Sequence, residues 1–303
     1  MSSPSPDAAE SPARVLSANL KGILWMLCAV CALTVMAVTL KHMVTGMSAW
    51  QASWLRMGFG VLFLTPWVLR TGRAGVLSPR LKLLWLRGLF GTASFSLTVY
   101  ALGELILADA VVLSFTTPFW VIPLAALMLG ELAGWRRSLA TAIGFIGVLL
   151  IIKPQFGIQS AMLIALLAAL MRGFVVVFIK NLTATEPPRR IVFWFFATGF
   201  VLLAVPAWLT WTPPSAAQIG WAVLAAFAGW IGQEWLSRAY RDGEATVVAP
   251  IEFVRVPLAA VIGLTLFAEI PDAWTAAGTV VIIGASWAIS RTKPGGAPKP
   301  NAA

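Results

Sequence analysis

Ten apolar segments, each close to the length that crosses a bilayer, dominate this 303-residue sequence. A helix rises 1.5 Å per residue, so about 20 residues cross the roughly 30 Å hydrocarbon core. The segments are apolar on all sides, whereas strands of a membrane barrel alternate apolar and polar residues. The sequence therefore predicts an all-α polytopic membrane protein with ten transmembrane helices. They cover residues 22–40, 48–69, 83–103, 108–129, 138–153, 158–180, 190–210, 218–238, 245–267 and 273–290.

The composition excludes an ordinary soluble domain. The chain is 59% hydrophobic and only 11% charged, whereas soluble domains have about 25% charged residues. The net charge of +10 does not indicate nucleic acid, because the basic residues sit at the ends of apolar segments. Cys28 and Cys31 both fall in the first segment, which does not suggest a zinc or disulfide framework. We expect no metal site and no cofactor.

The basic residues outside the segments predict the orientation. The face that opposes the termini has only Lys41 and Lys153. Because positive charge stays cytoplasmic, we expect the N-terminus and the C-terminus of a multi-pass protein of the bacterial inner (cytoplasmic) membrane to be cytoplasmic. The face of the termini holds Arg14, Lys21, Arg70, Arg73, Arg80, Lys82, Arg136, Arg137, Lys180, Arg189, Arg190, Arg238, Arg241, Arg291, Lys293 and Lys299.

The two halves of the chain resemble each other at a spacing of about 140 residues. Matching pairs include Trp54 with Trp194, Pro66 with Pro206, Tyr100 with Tyr240, Glu104 with Glu244 and, after small gaps, Pro118 with Pro257. Five helices per half is an odd number, so the second half enters from the opposite face and gives two inverted five-helix repeats. The predicted units are a disordered cytoplasmic tail (1–20), the first repeat (21–154), the second repeat (155–292) and a cytoplasmic tail (293–303).

Three motifs carry a resemblance to a known family. They are "ADAVVLSFTTPFWVIPLAALMLGE" (108–131), "LSRAYRDGEA" (236–245) and "APIEFVRVPLAAVIGLTLFAEIPDAWTAAGTVVIIGA" (249–285). Together with the ten-helix repeat pattern, they resemble the EamA-type members of the drug/metabolite transporter superfamily. The resemblance implies a secondary transporter. Its members move amino acids, nucleoside-like compounds, vitamins, amines and metal-chelating metabolites, and the "PIEFVR" pattern resembles a branch with S-adenosylmethionine and riboflavin carriers.

Five ionisable residues within the segments are candidates for a translocation site: Arg56, Arg172, Glu234, Glu252 and Arg255. A charged side chain at the bilayer centre costs roughly 2.5–3.5 kcal/mol on insertion scales, so each is a functional hypothesis by default. Three arginines against two glutamates favour an anionic or zwitterionic substrate. Arg56 as a structural anchor is the alternative.

Glu252 and Arg255 share a helix face because they lie three residues apart. Either they neutralise each other so that the helix can insert, or they line a central cavity and bind substrate. Pro250 and Pro257 flank them and release backbone carbonyls, which membranes tolerate only against protein or a wet cavity. Pro118 and Pro123 are the corresponding predicted helix kinks in the fourth segment.

The remaining candidates have weaker signals. Glu234 and Glu252 are the candidates for proton coupling, with an inert, hydrogen-bonded Glu234 as the alternative. Trp54, Trp120 and Trp230 lie deep enough to stack on a substrate. Glu131 and Glu269, at the ends of the fourth and ninth segments, are interpreted as interfacial or structural.

The sequence thus predicts a secondary transporter that works by alternating access, and not an enzyme. It has no H-E-x-x-H motif, no P-loop and a single histidine, His42. The preferred direction is export of a small polar zwitterionic or anionic metabolite, amino-acid-like or of the opine metallophore type. Uptake of a nucleoside-like or vitamin substrate is the alternative. The expected partners are this substrate and the lipid bilayer, with proton coupling and the choice between monomer and homodimer left open.

Overall fold

The computed structural model describes residues 12–129, 135–152, 159–182, 185–242 and 249–291. Within these ranges the regular secondary structure is helical throughout, in agreement with the predicted all-α class. Most of the two predicted tails lies outside the described residues, as do Glu131 and Lys153.

Six helices form the first five spans. The described part of the first helix starts at Pro12, inside the stretch predicted as a tail. The fourth span is broken into two helices. The helices are α1 Pro12–Val44, α2 Ala49–Val76, α3 Leu81–Glu104, α4 Leu107–Ser114, α5 Thr117–Leu129 and α6 Trp135–Ile152.

The second half of the chain repeats this plan. Its ninth span also departs from one continuous α-helix, because a short 3-10 helix, Ala249–Val254, runs directly into the α-helix that follows it. The α-helices are α7 Ser160–Leu182, α8 Pro188–Leu209, α9 Ala216–Asp242, α10 Arg255–Phe267 and α11 Ala273–Arg291. The ten predicted spans are therefore confirmed.

Length and apolarity vary among the spans. In the part of the chain that the structure describes, five segments are long and apolar enough to cross a membrane by themselves, at Leu20–Val44, Ala49–Val76, Leu107–Met128, Ser160–Ile179 and Pro188–Leu209. Three more, Ser138–Ile152, Arg255–Phe267 and Ala273–Ala288, are apolar but shorter. The remaining two, α3 and α9, are the more polar spans and pack among the others.

Helix packing follows a pseudo-two-fold axis that exchanges the two halves. The first span packs along the eighth (α1 with α9), and the sixth packs along the third (α7 with α3). The second and seventh spans pack on each other (α2 with α8), as do the fifth and tenth (α6 with α11) and the two broken spans (α4 with α10). When each span is replaced by its counterpart in the other half, five spans away, the same set of packing pairs results. The two halves are therefore inverted repeats of one architecture.

The crossing of α6 and α11 depends on two glycines. A Cβ added at Gly278 would lie 2.7 Å from the Gly147 carbonyl oxygen, and one at Gly147 would lie 2.9 Å from the Gly278 carbonyl oxygen. Backbone atoms cannot rotate away as a side chain can, so the two helices can approach this closely only without side chains at these positions.

We expect Gly278→Ala to lower the free energy of unfolding by about 1–3 kcal/mol, because it overpacks a backbone contact. The thermal midpoint in detergent, followed by tryptophan fluorescence, measures the effect. Gly284→Ala in the same helix is the matched control, since a Cβ there meets nothing within 4 Å. Equal midpoints for the two variants would contradict the close crossing.

On the face of the termini, the Glu186–Arg190 ion pair and its hydrogen bonds link the α7–α8 connection to the end of α2 and the α2–α3 connection. Glu186, buried between α7 and α8, accepts hydrogen bonds from the Ser78 hydroxyl and from Arg190 Nη1, the latter at 2.6 Å. Arg190 also donates to the Ala74 and Gly75 carbonyl oxygens. Burial raises the pKa of the Glu186 carboxyl, but these two hydrogen bonds and the positive charge of Arg190 outweigh burial and hold the pKa below its usual value.

A carboxyl with a lowered pKa in the folded state stabilises the fold above its unfolded pKa, and that stability is lost as pH falls through the folded value. We therefore expect the thermal midpoint of the wild-type protein to exceed that of Glu186→Gln at pH 7. The gap should narrow as the pH is lowered to about 3. A gap that stays constant with pH would contradict the role given to the Glu186 charge.

Candidate functional site

Both broken spans interrupt their helices at repeat-related positions. In the fourth span, α4 ends at Ser114 and α5 begins at Thr117, with Pro118 second in the new helix. In the ninth, α10 begins at Arg255, with Pro257 third. Proline in a first turn removes no helical hydrogen bond. The break therefore lies before each proline, and the proline helps to begin the second half of the span.

Polar side chains satisfy the carbonyls that the break in the fourth span releases. The hydroxyls of Ser114, Thr116 and Thr117 donate to backbone carbonyl oxygens three residues earlier, at 2.6–2.8 Å. The Phe115 carbonyl oxygen accepts a hydrogen bond of 3.2 Å from Ser286 on α11. Non-helical backbone is tolerated at membrane depth only with such partners or against a wet cavity.

Of the other predicted kink prolines, Pro123 lies inside α5, and Pro250 is the second residue of the 3-10 helix.

Three of the predicted charged residues lie near one another at the break in the ninth span. Glu252 lies in the 3-10 helix, Arg255 begins α10, and Arg172 approaches from α7. Arg172 is within electrostatic range of both of the others, and all three side chains are half-buried. Among the described residues no ion pair of 4 Å or less joins them, and the buried Arg255 Nε has no hydrogen-bond partner. The group therefore has one excess positive charge and an unused donor.

A small cavity lies beside Arg172. Its walls are Thr98 and Ala101 of α3, Ala110 and Ser114 of α4, and Ala165, Ala169 and Arg172 of α7. The space holds about one water molecule. Any larger solute would enter only if these three helices moved apart.

Trp120 packs next to this cavity. Its Cβ lies 3.2 Å from the position that a Cβ on Gly173 would take, so the tryptophan approaches α7 at the residue after Arg172. The ring meets Phe145 edge-on, with centroids 5.2 Å apart. The buried indole Nε1 has no hydrogen-bond partner. Trp120 therefore adds an aromatic ring and an unused donor beside α7, at the residue that follows Arg172.

Arg56 is buried elsewhere in the bundle. Its guanidinium lies 4.1 Å from the ring centre of Phe95 and 5.4 Å from that of Phe196. Its remaining neighbours include the sulfur atoms of Met36 and Met57, at 3.6 and 4.0 Å. Cation–π contact and soft sulfur acceptors replace a carboxylate here. The described contacts do not connect Arg56 with the group around Arg172.

Arg87 is a buried arginine that sequence reasoning missed. It lies in α3 with 8% of its surface exposed, and its guanidinium is 4.5 Å from the ring centre of Phe195. Its Nε and Nη1 have no hydrogen-bond partner in the described part of the chain. The signal was available, because Arg87 interrupts the third apolar segment as Arg56 interrupts the second.

The structure places the remaining candidates outside the cluster. Glu234 is peripheral, with 45% of its side chain exposed, and pairs with Arg238 one turn later at 3.2 Å. Trp54 stacks on Phe200 and donates from Nε1 to the Phe200 carbonyl oxygen. Trp230 packs against Phe63 and Phe227. These three residues have local partners, and none of those partners belongs to the Arg172 group.

The comparisons with known proteins agree with this architecture. A sequence model of the EamA-like transporter family matches residues 20–153 and 159–291. The Pseudopaline exporter CntI of Pseudomonas aeruginosa (strain UCBPP-PA14) is 32% identical over 93% of this chain and 100% of its own length. The S-adenosylmethionine uptake transporter of Rickettsia prowazekii is 28% identical over 89% of this chain and 92% of its own.

Two further similarities extend the picture. The Riboflavin transporter of Rhizobium johnstonii is 30% identical, over 90% of this chain and 91% of its own. A solved crystal structure superposes with a TM-score of 0.61 over 89% of this chain and 96% of that one, at 16% sequence identity. At that identity the structural likeness shows the fold alone.

Proposed function

The chain belongs to the EamA-like transporter family, and on that premise we propose that it exports a small polar metabolite with at least one carboxylate. The substrate class is zwitterionic or anionic and amino-acid-like, and opine-type metallophores are among its members. The observation that carries the proposal is that Arg172, Glu252 and Arg255 lie within electrostatic range of one another at the broken ninth span, with a buried Arg255 donor that has no partner. A multi-pass membrane transporter with this family membership needs a polar site at membrane depth, and these residues supply it.

The charges suggest how a solute would be held. A guanidinium binds a carboxylate through two parallel hydrogen bonds, and Arg255 has a buried donor with no partner. Glu252 carries the complementary charge for a substrate amine. With Arg172 nearby, the site keeps one excess positive charge, which favours a solute with more acidic than basic groups.

Transport would proceed by alternating access between two packings of the inverted repeats. The cavity beside Arg172 holds about one water molecule, so a metabolite requires separation of α3, α4 and α7. The break in each of the two central spans lets half of the span move while the other half stays packed. Of the two predicted proton-coupling residues, Glu252 belongs to the site and Glu234 pairs with Arg238 at the periphery. A proton-coupled cycle would therefore use Glu252.

The relative named as an exporter supports export as the direction of transport. We place the protein in the bacterial cytoplasmic membrane with both termini cytoplasmic, as a monomer or a homodimer, because basic residues concentrate on the face of the termini. Uptake of a nucleoside-like or vitamin substrate is the second candidate. A relative named as an S-adenosylmethionine uptake transporter and another named as a riboflavin transporter support it, as does the aromatic ring of Trp120 next to α7.

Metabolite profiling of a gene deletion tests the proposal. We expect the deletion strain to accumulate a carboxylate-bearing metabolite inside the cell and to lose it from the medium. Purified protein in proteoliposomes should then transport that compound. Depletion of a nucleoside-like or vitamin compound inside the deletion strain, with reduced uptake from the medium, would overturn export in favour of the second candidate.

A further inference from the structure

A buried ion pair lies on the face of the bundle opposite the termini. Lys41 Nζ, at the end of α1, lies 2.6 Å from Glu269 Oε1, and the two side chains are only 8% and 17% exposed. Lys41 also donates to the carbonyl oxygens of Leu102 and Leu105, at 3.0 and 2.5 Å. An ammonium group has three donors, so all of them are used.

The acid is held as firmly as the base. Glu269 Oε2 accepts a 2.7 Å hydrogen bond from the Leu107 N–H at the start of α4. Ala268 turns the chain into position with a φ of 53°, the only positive φ of a non-glycine residue in the described ranges. The Glu269 N–H then bonds to the Gly263 carbonyl oxygen at 3.0 Å. A left-handed alanine costs about 1 kcal/mol, so the packing around it must hold this turn in place.

The network lies near the ends of α3 and α4 that point away from the termini, next to residues of the cavity wall. Leu102 follows the cavity residue Ala101 in α3, and Leu107 precedes Ala110 by one turn in α4. Leu102, Leu105 and Leu107 are each less than 5% exposed, so they seal the space around the ion pair. A solute that moved from the cavity along α3 and α4 towards this face would pass the Lys41–Glu269 pair.

We propose that Lys41 and Glu269 form the gate on this face, which opens when the ion pair breaks. This inference rests on the proposed transport function, because a gate has a role only if a solute reaches the site. The network joins α1 and the α3–α4 connection of the first repeat to the α10–α11 connection of the second. Opening exposes both charges to water, and their hydration offsets the lost attraction. The ion pair can therefore hold the face closed while the free energy needed to open it stays small.

Cysteine labelling tests the gate without any substrate. In a chain with Cys28→Ser and Cys31→Ser, which removes both native thiols, Ser114→Cys places a reporter in the cavity wall. A membrane-impermeant maleimide is applied from the face opposite the termini, as assigned by a C-terminal reporter fusion. Glu269→Gln removes the charge but keeps an oxygen for the Leu107 N–H. We expect it to raise the labelling rate about tenfold by shifting the population towards the open state.

Two controls separate a gate from a structural tie. Glu186→Gln breaks an equally short ion pair on the other face and should leave the labelling rate of Ser114→Cys unchanged. Thr198→Cys, buried in α8 against α3, should stay unlabelled in the Glu269→Gln protein. Lys41→Gln is the second gate variant and should reproduce the result.

The proposal is overturned if labelling of Ser114→Cys is unchanged in both gate variants while they remain monodisperse, or if Thr198→Cys becomes labelled equally. Because the readout is a thiol, its outcome is independent of solute flux. If the gate variants raise labelling as expected but the protein transports no carboxylate-bearing metabolite, the proposed function is contradicted and the gate is not.

Discussion

Arg255→Ala is expected to reduce flux of the solute found by metabolite profiling by about 100-fold or more, while the protein still inserts and purifies. Arg255 supplies a buried guanidinium donor with no partner in the described part of the chain, and its loss leaves Arg172 and Glu252 as a neutral set. Without the excess positive charge, a substrate carboxylate loses both its counter-ion and its two-point contact. Flux in proteoliposomes measures the effect, and the thermal midpoint in detergent reports the fold.

Matched variants make this result specific. Arg255→Lys keeps the charge but not the planar pair of donors, so we expect flux between those of the wild type and Arg255→Ala. Arg238→Ala removes an arginine from a peripheral ion pair and should leave flux unchanged. Wild-type flux in Arg255→Ala would contradict the site.

A double variant decides whether Glu252 and Arg255 only neutralise each other or bind substrate. If they only neutralise each other, Glu252→Gln combined with Arg255→Gln should recover the flux that either single change removes. If they bind substrate, the double variant stays inactive. We expect inactivity, because the two side chains are not joined by a direct ion pair among the described contacts.

The fold could be predicted because the bilayer imposes a length and an apolarity on every span. The count of ten and the inversion follow from the segments and from an odd number of helices per repeat. The positions of the breaks were marked in the sequence by Pro118 and Pro257. The sequence did not indicate that the helix restarts before each proline. In the fourth span the break also depends on Thr116, Thr117 and the hydroxyl of Ser286, which comes from a distant part of the chain.

The site was predicted in part, for a physical reason. A charge inside an apolar segment identifies Arg172, Glu252 and Arg255, but it identifies Arg56 and Arg87 as well. Which of these meet depends on how the spans pack, and a sequence does not give distances between spans. For Glu234 the local signal was available, because Arg238 follows at the spacing of a helical ion pair. For Lys41 and Glu269, separated by more than two hundred residues, no local signal existed.

That long-range pair leads to the largest expected effect on stability. Glu269→Ala should lower the free energy of unfolding by about 3–5 kcal/mol, since removal of one partner leaves a buried charge uncompensated. Lys41 would keep only the carbonyl oxygens of Leu102 and Leu105, and the Leu107 N–H would lose its acceptor at the start of α4. The thermal midpoint in detergent measures the loss.

Combination with a second change separates the cost of the bare charge from that of the lost hydrogen bond. Lys41→Met together with Glu269→Gln replaces the ion pair by an apolar stem and an amide that still accepts from Leu107. We expect this double variant to be closer in stability to the wild type than Glu269→Ala, because no charge remains buried and the helix start keeps its acceptor. A double variant as unstable as Glu269→Ala would show that shape, rather than charge, holds this face together. The same protein should label at Ser114→Cys more slowly than Glu269→Gln does, because no bare charge remains that would gain hydration when the face opens.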